Sequence, residues 1–277
     1  MTGERNKGMV PCSKIFEPQW NQGKGKGMTS EELFTTLKSR FIEVLKTNGI
    51  EKEPVQVTCR SLSPEEAIGT PGRQDFPILS GRDVMIQAEF RGCRGQAFTD
   101  APASFSGTLS EILEMDLVHD AYARGLFVAV MNAVMESLGL CKGTVHCRSE
   151  GPELCSQKMK AWLAEHRPDV KKTTLVGYQP ALLDMLSRSG YQVRVLDLNP
   201  QNIGQVRCGV TVEDGVSAMQ SAIGSADLIL CTGSTLCNGT IVDYIMPEKE
   251  VLFFGTSAAG AAELLHLNRV CFAHELQ

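Results

Sequence analysis

The sequence has no long apolar run. None of its segments approaches the roughly 18 residues that a membrane helix needs, and the most apolar one, Gly125–Val130, is soon interrupted by Asn132 and Glu136. The N-terminus has no apolar h-region, which predicts no secretory signal. Basic charge is not in excess: a net charge of −5 and a pI near 5.6 predict no nucleic-acid partner. Three motifs are also missing. Without C-x-x-C there is no zinc ribbon or thioredoxin-type redox site. Without a Walker lysine, NTP hydrolysis is not expected. Without G-x-G-x-x-G there is no standard dinucleotide fingerprint.

What is present is cysteine, ten in 277 residues. In a chain with no secretory signal these read as reduced thiols, so the expected location is cytoplasmic. Several lie in apolar stretches as small core residues.

The length predicts about two domains. Residues 1–28, with Gly23-Lys24-Gly25-Lys26-Gly27, read as a flexible segment. Residues 29–150 read as an α+β domain. Thr29-Ser30-Glu31-Glu32 starts a helix, Val55–Leu62 and Asp83–Phe90 are strands, and Thr108–Leu117 and Asp120–Leu138 are helices. The last of these carries Leu126, Phe127, Val130, Val134 and Leu138 along one face. Residues 151–277 form the second domain, entered through a linking helix over 151–168. Its strands are predicted at Thr173–Gly177, Gln192–Leu198, Asp227–Cys231, Glu250–Gly255 and Arg269–Phe272, with helices between them. That rhythm gives an α/β class with a doubly wound parallel sheet.

Three βα loops converge on the expected ligand edge of such a sheet. The first contains Gly177, and Asp197 follows one βαβ step later, where an acidic residue can hold a ribose hydroxyl. The second runs through Gly233, Ser234, Thr235, Asn238 and Thr240, whose hydroxyls and helix-start N–H groups can receive a polar or anionic group. The third is Gly255-Thr256-Ser257. It resembles a nucleophile elbow with its glycine one residue late, and a helix-capping role for Ser257 outweighs a nucleophilic one.

The sharper chemistry lies at the junction of the halves. His146, Cys147 and Cys155 offer one imidazole and two thiols, a set suited to zinc, iron or copper with one coordination position left open. Cys155 falls near a helix N-terminus, which stabilises thiolate. The competing reading is a hinge with buried cysteines. Cys231 and Cys237 stand between core and site, with core favoured for Cys231.

The stretch Gly233-Ser234-Thr235-Leu236-Cys237-Asn238-Gly239-Thr240, with Gly255-Thr256-Ser257, resembles the "putative heavy-metal chelation" family of uncharacterised prokaryotic proteins. Ala88–Gly92, Gly95–Asp100 and Thr144–Cys147 look like those of a subgroup, so the resemblance runs from about Asp83 to the C-terminus. It implies a Rossmann-like C-terminal domain behind an N-terminal domain resembling the enolase N-terminal fold. Cys237 and the plain Ala258-Ala259 depart from the pattern and leave the loop's ligand open. The expectation is therefore a cytoplasmic metal-binding or metallocofactor-related protein with a crevice between its two domains. One alternative is an enzyme acting on a nucleotide-like or phosphorylated metabolite in that crevice. Another is a non-catalytic, oligomeric ligand-binding protein. The expected partners are a metal or small molecule and a second copy of the chain, without nucleic acid or membrane.

Overall fold

The computed structural model describes residues 28–51, 56–80, 83–245 and 248–276. The expected flexible segment lies almost wholly outside them. The first helix, α1 (Ser30–Thr47), starts where the hydroxyl and acid pattern predicts, with a reciprocal capping box between Thr29 and Glu32. There follow β1 (Gln56–Ser61), α2 (Pro64–Ile68), β2 (Val84–Phe90), β3 (Cys93–Thr99), β4 (Phe105–Thr108), α3 (Leu109–Glu114) and α4 (Ala121–Ser137). The four strands form one antiparallel sheet in the order β3-β2-β1-β4.

α5 (Gly151–His166) leads into a second, six-stranded sheet. Its elements are β5 (Lys172–Val176), α6 (Pro180–Arg188), β6 (Gln192–Asp197), β7 (Val206–Arg207) and β8 (Val210–Asp214). They continue with α7 (Met219–Ser225), β9 (Leu228–Thr232), α8 (Thr235–Asn238), β10 (Val251–Phe254) and α9 (Ala259–Leu265). The order is β10-β9-β5-β6-β8-β7, parallel except for β7. The chain winds outward from β5 to β8, then returns to β9 on the other side of β5, so the order reverses between β5 and β9. Alternate residues of β9 face opposite cores: Ile229 and Cys231 one, Leu228 and Leu230 the other. Both faces of the parallel sheet are therefore covered, which is why β9 and β10 read as continuous apolar runs.

Two sequence expectations are corrected here. The fifth parallel strand is Val210–Asp214, whereas Arg269–Phe272 contributes only a single bridge, Arg269 to Phe253. The Val210 strand is reached through a two-residue turn, Cys208-Gly209, with φ of 50° and 78°. Positive φ at both positions is the type I′ geometry that suits a twisted hairpin. The second correction concerns α4. It was expected to bury one face, but every residue from Gly125 to Met135 is buried. A helix apolar all round needs neighbours all round. α4 has them: β2 and β3 on one side, α8 and α9 on the other.

The contact between α4 and β3 requires glycine at position 95. A Cβ there would lie 2.2 Å from the Ala133 nitrogen and 2.3 Å from the Ala129 carbonyl oxygen, both backbone atoms that cannot rotate away. Gly95→Ala is expected to cost about 1–3 kcal/mol, the usual range for overpacking. A lowered urea midpoint with an unchanged slope would show it, and an unchanged midpoint would mean that the helix can shift at no cost.

Candidate functional site

The crevice opens at the carboxyl ends of β5 and β9, the point where strand order reverses. Its two defining loops pass so closely that a Cβ on Gly177, whose φ is 83°, would stand 2.5 Å from Thr232 Cγ2. Gly233 is similarly constrained, because a Cβ would lie 2.6 Å from the Ala258 nitrogen. The cavity has a volume of about 640 Å³ and reaches from these loops to Phe98, Thr99 and Asp100 of the antiparallel sheet. All thirteen residues expected from the sequence, the ten of the βα loops together with His146, Cys147 and Cys155, line it.

The leading N–H groups of the first loop are already committed. The Gly177 N–H donates to the Leu196 carbonyl and the Tyr178 N–H to Asp197 Oδ2, at 2.8 and 2.9 Å. Pro180 has no N–H to offer, and the Gln179 side chain caps α6 by accepting from the Leu182 N–H. Asp197 is thereby oriented: Oδ2 also accepts from Asn202 Nδ2, and Oδ1 from the Asn199 N–H.

The second loop forms the single turn α8, followed by a 3-10 turn, Thr240–Tyr244, rather than the longer helix its apolar spacing suggested. Its hydroxyls are mostly tied internally. Thr235 Oγ1 donates to the Thr232 carbonyl, and Thr240 donates through both N–H and Oγ1 to Asn238 Oδ1.

In the third loop Ser257 Oγ accepts the Phe98 N–H at 2.9 Å, so the serine ties the two sheets together. Capping of the next helix, its expected role, is not what the hydroxyl does: α9 has no side-chain cap. Thr256 is different. Its Oγ1 is buried on the cavity wall and has no partner among the described residues.

Two residues that sequence reasoning missed hold this corner together. Asn132, fully buried in the middle of α4, donates through Nδ2 to the carbonyls of Gln96 and Thr256 at 3.0 and 3.1 Å. Its Oδ1 accepts the Gly260 N–H at 2.8 Å. Arg269 donates to the carbonyls of Gly255, Lys142 and Gly143, drawing the C-terminal segment against the stretch that leads to His146.

His146 is held on three sides. Its backbone N–H donates to Gln96 Oε1, its ring meets Phe98 edge-on at 5.4 Å, and Nδ1 donates to the Cys147 carbonyl at 2.6 Å. A carbonyl can only accept, so Nδ1 carries the proton and Nε2 keeps its lone pair. Burial lowers the pKa to about 4, despite that hydrogen bond, so the ring is neutral at physiological pH.

Cys147 packs on the first residue of α5, Gly151, where a Cβ would come within 2.7 Å of the cysteine Cβ. Cys155 lies one turn on, and its thiol interacts with those of both Cys147 and Cys271. The three thiols form a row with Cys155 in the middle. Cys271 was not expected from the sequence; only Arg269 and the bridge to β10 bring it here.

The expected thiolate stabilisation of Cys155 is corrected. The neighbouring Cys147 thiol, with burial, pushes its pKa up to about 11, against a downward pull from Cys271. The Cys271 thiol is pushed well up by Cys155 and by burial. The helix N-terminus does not prevail over crowded, dehydrated thiols. Cys231 and Cys237 are buried with thiols pushed to about 12 by burial; Cys231 is core, and Cys237 reaches the cavity wall. No three His, Cys, Asp or Glu side chains among the described residues stand ready-assembled around an ion position.

The cavity is negative. Asp83, Asp100, Asp197 and Asp243 line it, and no lysine or arginine does among the described residues. Burial, with the charges of Asp197 and Asp100, raises Asp83 to about 6. A phosphorylated metabolite would find no lysine or arginine counter-charge in this lining.

Residues 162–270 match the family model described as "Putative heavy-metal chelation", DUF364. The match holds β5 to β10 and their loops, a shorter span than the resemblance from Asp83. It begins after Cys155 and ends one residue before Cys271, so it contains the βα loops but none of the three thiols. No curated protein matches the chain. Among solved structures, the chain is similar to a DUF364 protein of unknown function from Pyrococcus horikoshii, at 16% identity over 82% of this chain and 80% of that one, with a TM-score of 0.45. It is also similar to a DUF364 protein of unknown function from Desulfitobacterium hafniense, at 13% identity over 66% and 72%, with a TM-score of 0.40.

Proposed function

We propose that this protein binds a thiophilic metal ion at the cysteine end of the crevice. The observation that carries the reading is the row of thiols: Cys147, Cys155 and Cys271 share the wall of one cavity, and Cys155 interacts with both of the others. Neutral His146, with Nε2 bare, adds a further donor. Paired thiolates with an imidazole suit copper(I), zinc or iron. The carboxylates around the cavity attract cations and repel anions. Because the donors are not pre-assembled, binding requires the thiols to lose protons and turn toward the ion. The family description points the same way.

This reading takes residues 29–150 and 151–277 as two domains, enolase-N-terminal-like and Rossmann-like, in a cytoplasmic protein that self-associates. The switch in strand order supports the Rossmann-like part of it. Metal analysis of anaerobically purified protein tests the metal site. Near-stoichiometric metal is expected in the wild type and in Cys208→Ser, an exposed thiol on the β7–β8 turn. Cys155→Ser is expected to lose most of it. Equal metal in all three proteins rejects the site.

A further inference from the structure

The crevice is much larger than an ion needs. At about 640 Å³ it falls within the range of organic-ligand sites, roughly 300–1,000 Å³. The thiols gather on the β10 side, where Cys271 follows the Arg269 bridge. β6 lies three strand positions away in the sheet, roughly 14 Å at normal strand spacing. There the wall has a different character. Asp197 ends β6, and the next residue, Leu198, is 45% exposed on the cavity wall. Val216, just past the end of β8, is 74% exposed on the same wall. Gly215 lies between them: a Cβ there would stand 3.1 Å from the Asp197 carbonyl oxygen and 3.2 Å from Leu198 Cδ2. Its lack of a side chain brings the two strand ends together.

We propose that this end of the crevice is a nucleoside subsite that takes nucleosides with a neutral or cationic 5′ group and rejects nucleotides. Ribose hydroxyls donate to Asp197, and the base lies against Leu198 and Val216. Asp197 is prepared for the first role. Three N–H donors fix its carboxylate, yet Oδ1 takes only one of them, from Asn199, and can accept more. The two aliphatic side chains supply the apolar surface that a base covers.

Rejection of phosphate follows from the same loop. In folds that bind dinucleotides, the first βα turn presents its N–H groups to the pyrophosphate. Here the Gly177 and Tyr178 N–H groups are already donated to Leu196 and Asp197, and Pro180 has none. Asp83 and Asp100 on the lining repel an anion and favour a 5′ cation. The unpartnered Thr256 hydroxyl leaves one donor in the cavity for a neutral polar group. None of this depends on the metal site, so either proposal can fail alone.

Calorimetric titration of the full chain with adenosine, guanosine, cytidine and uridine is the test. The best binder is then compared with its 5′-amino-5′-deoxy and 5′-monophosphate derivatives. At least one nucleoside is expected to bind with Kd below about 1 mM. Its amine should bind as tightly or tighter, and its phosphate at least ~10-fold weaker. Asp197→Asn should weaken nucleoside binding ~10-fold or more. Because Asp197 also orders its own loop, Leu198→Ser and Val216→Ser provide the second check. Both side chains are exposed, so the variants should keep the wild-type Tm and still lose affinity. The proposal is overturned if no nucleoside binds, if the phosphate binds as tightly as its parent, or if both serine variants keep full affinity.

Discussion

Replacing Asn132 by leucine is expected to destabilise the protein by about 2 kcal/mol or more, because each buried polar group left without a partner costs roughly 1–3 kcal/mol. Two groups lose the partner they have, the Gly260 N–H and the Gln96 carbonyl, while the Thr256 carbonyl keeps the Ala259 N–H. Leucine fits the space but can neither donate nor accept, and water cannot replace it at a position with no solvent exposure. Asn132→Asp should be no better, since an ionised carboxylate would face two carbonyl oxygens. Urea unfolding of both variants measures the effect. A loss below about 1 kcal/mol for Asn132→Leu would mean that the two groups find other partners, and that the corner is held mainly by packing.

The second large effect expected is in how metal affinity follows pH. A thiol must lose its proton to become a ligand, so each one engaged makes apparent affinity rise about tenfold per pH unit below its pKa. Cys155 is pushed to about 11 and Cys271 well up, so both are protonated across the physiological range. His146, lowered to about 4, is already neutral and releases nothing. Affinity should therefore climb from pH 6 to pH 8 by roughly 10⁴-fold if both thiols bind. The same experiment on Cys271→Ser should show the slope fall by one. A competition titration against a chelator of known proton dependence measures this. A flat profile in the wild type would mean that no thiol of the row binds the metal.

Much of the architecture is legible in the residues. Thr29 with Glu32 and Ser63 with Glu66 mark helix starts that form capping boxes. The apolar runs at β9 and β10 read directly as strands because a parallel sheet is covered on both faces. The β7–β8 hairpin is harder to see, since its turn puts a cysteine at positive φ where glycine or asparagine is the usual signal.

The crevice is legible as far as local pattern reaches. Glycines at 177, 233 and 255 mark the loops, and His146, Cys147 and Cys155 are close in sequence. Cys271 and Asn132 are not legible, for a shared reason: their roles depend on contacts made across more than a hundred residues of chain. Asn132 reads as a break in an apolar helix until Gly260 is placed against it. The charge of the cavity is also hidden, because Asp83, Asp100, Asp197 and Asp243 come from four separate segments.

The all-round burial of α4 has a consequence for motion. Many two-lobed clefts work as jaws, swinging open about a few loop residues to admit a ligand and closing over it. Here a single rod is packed against β2 and β3 on one flank and against α8 and α9 on the other. Swinging them apart would strip that rod of one apolar coat along much of its length. Hinge opening of the crevice is therefore strongly disfavoured.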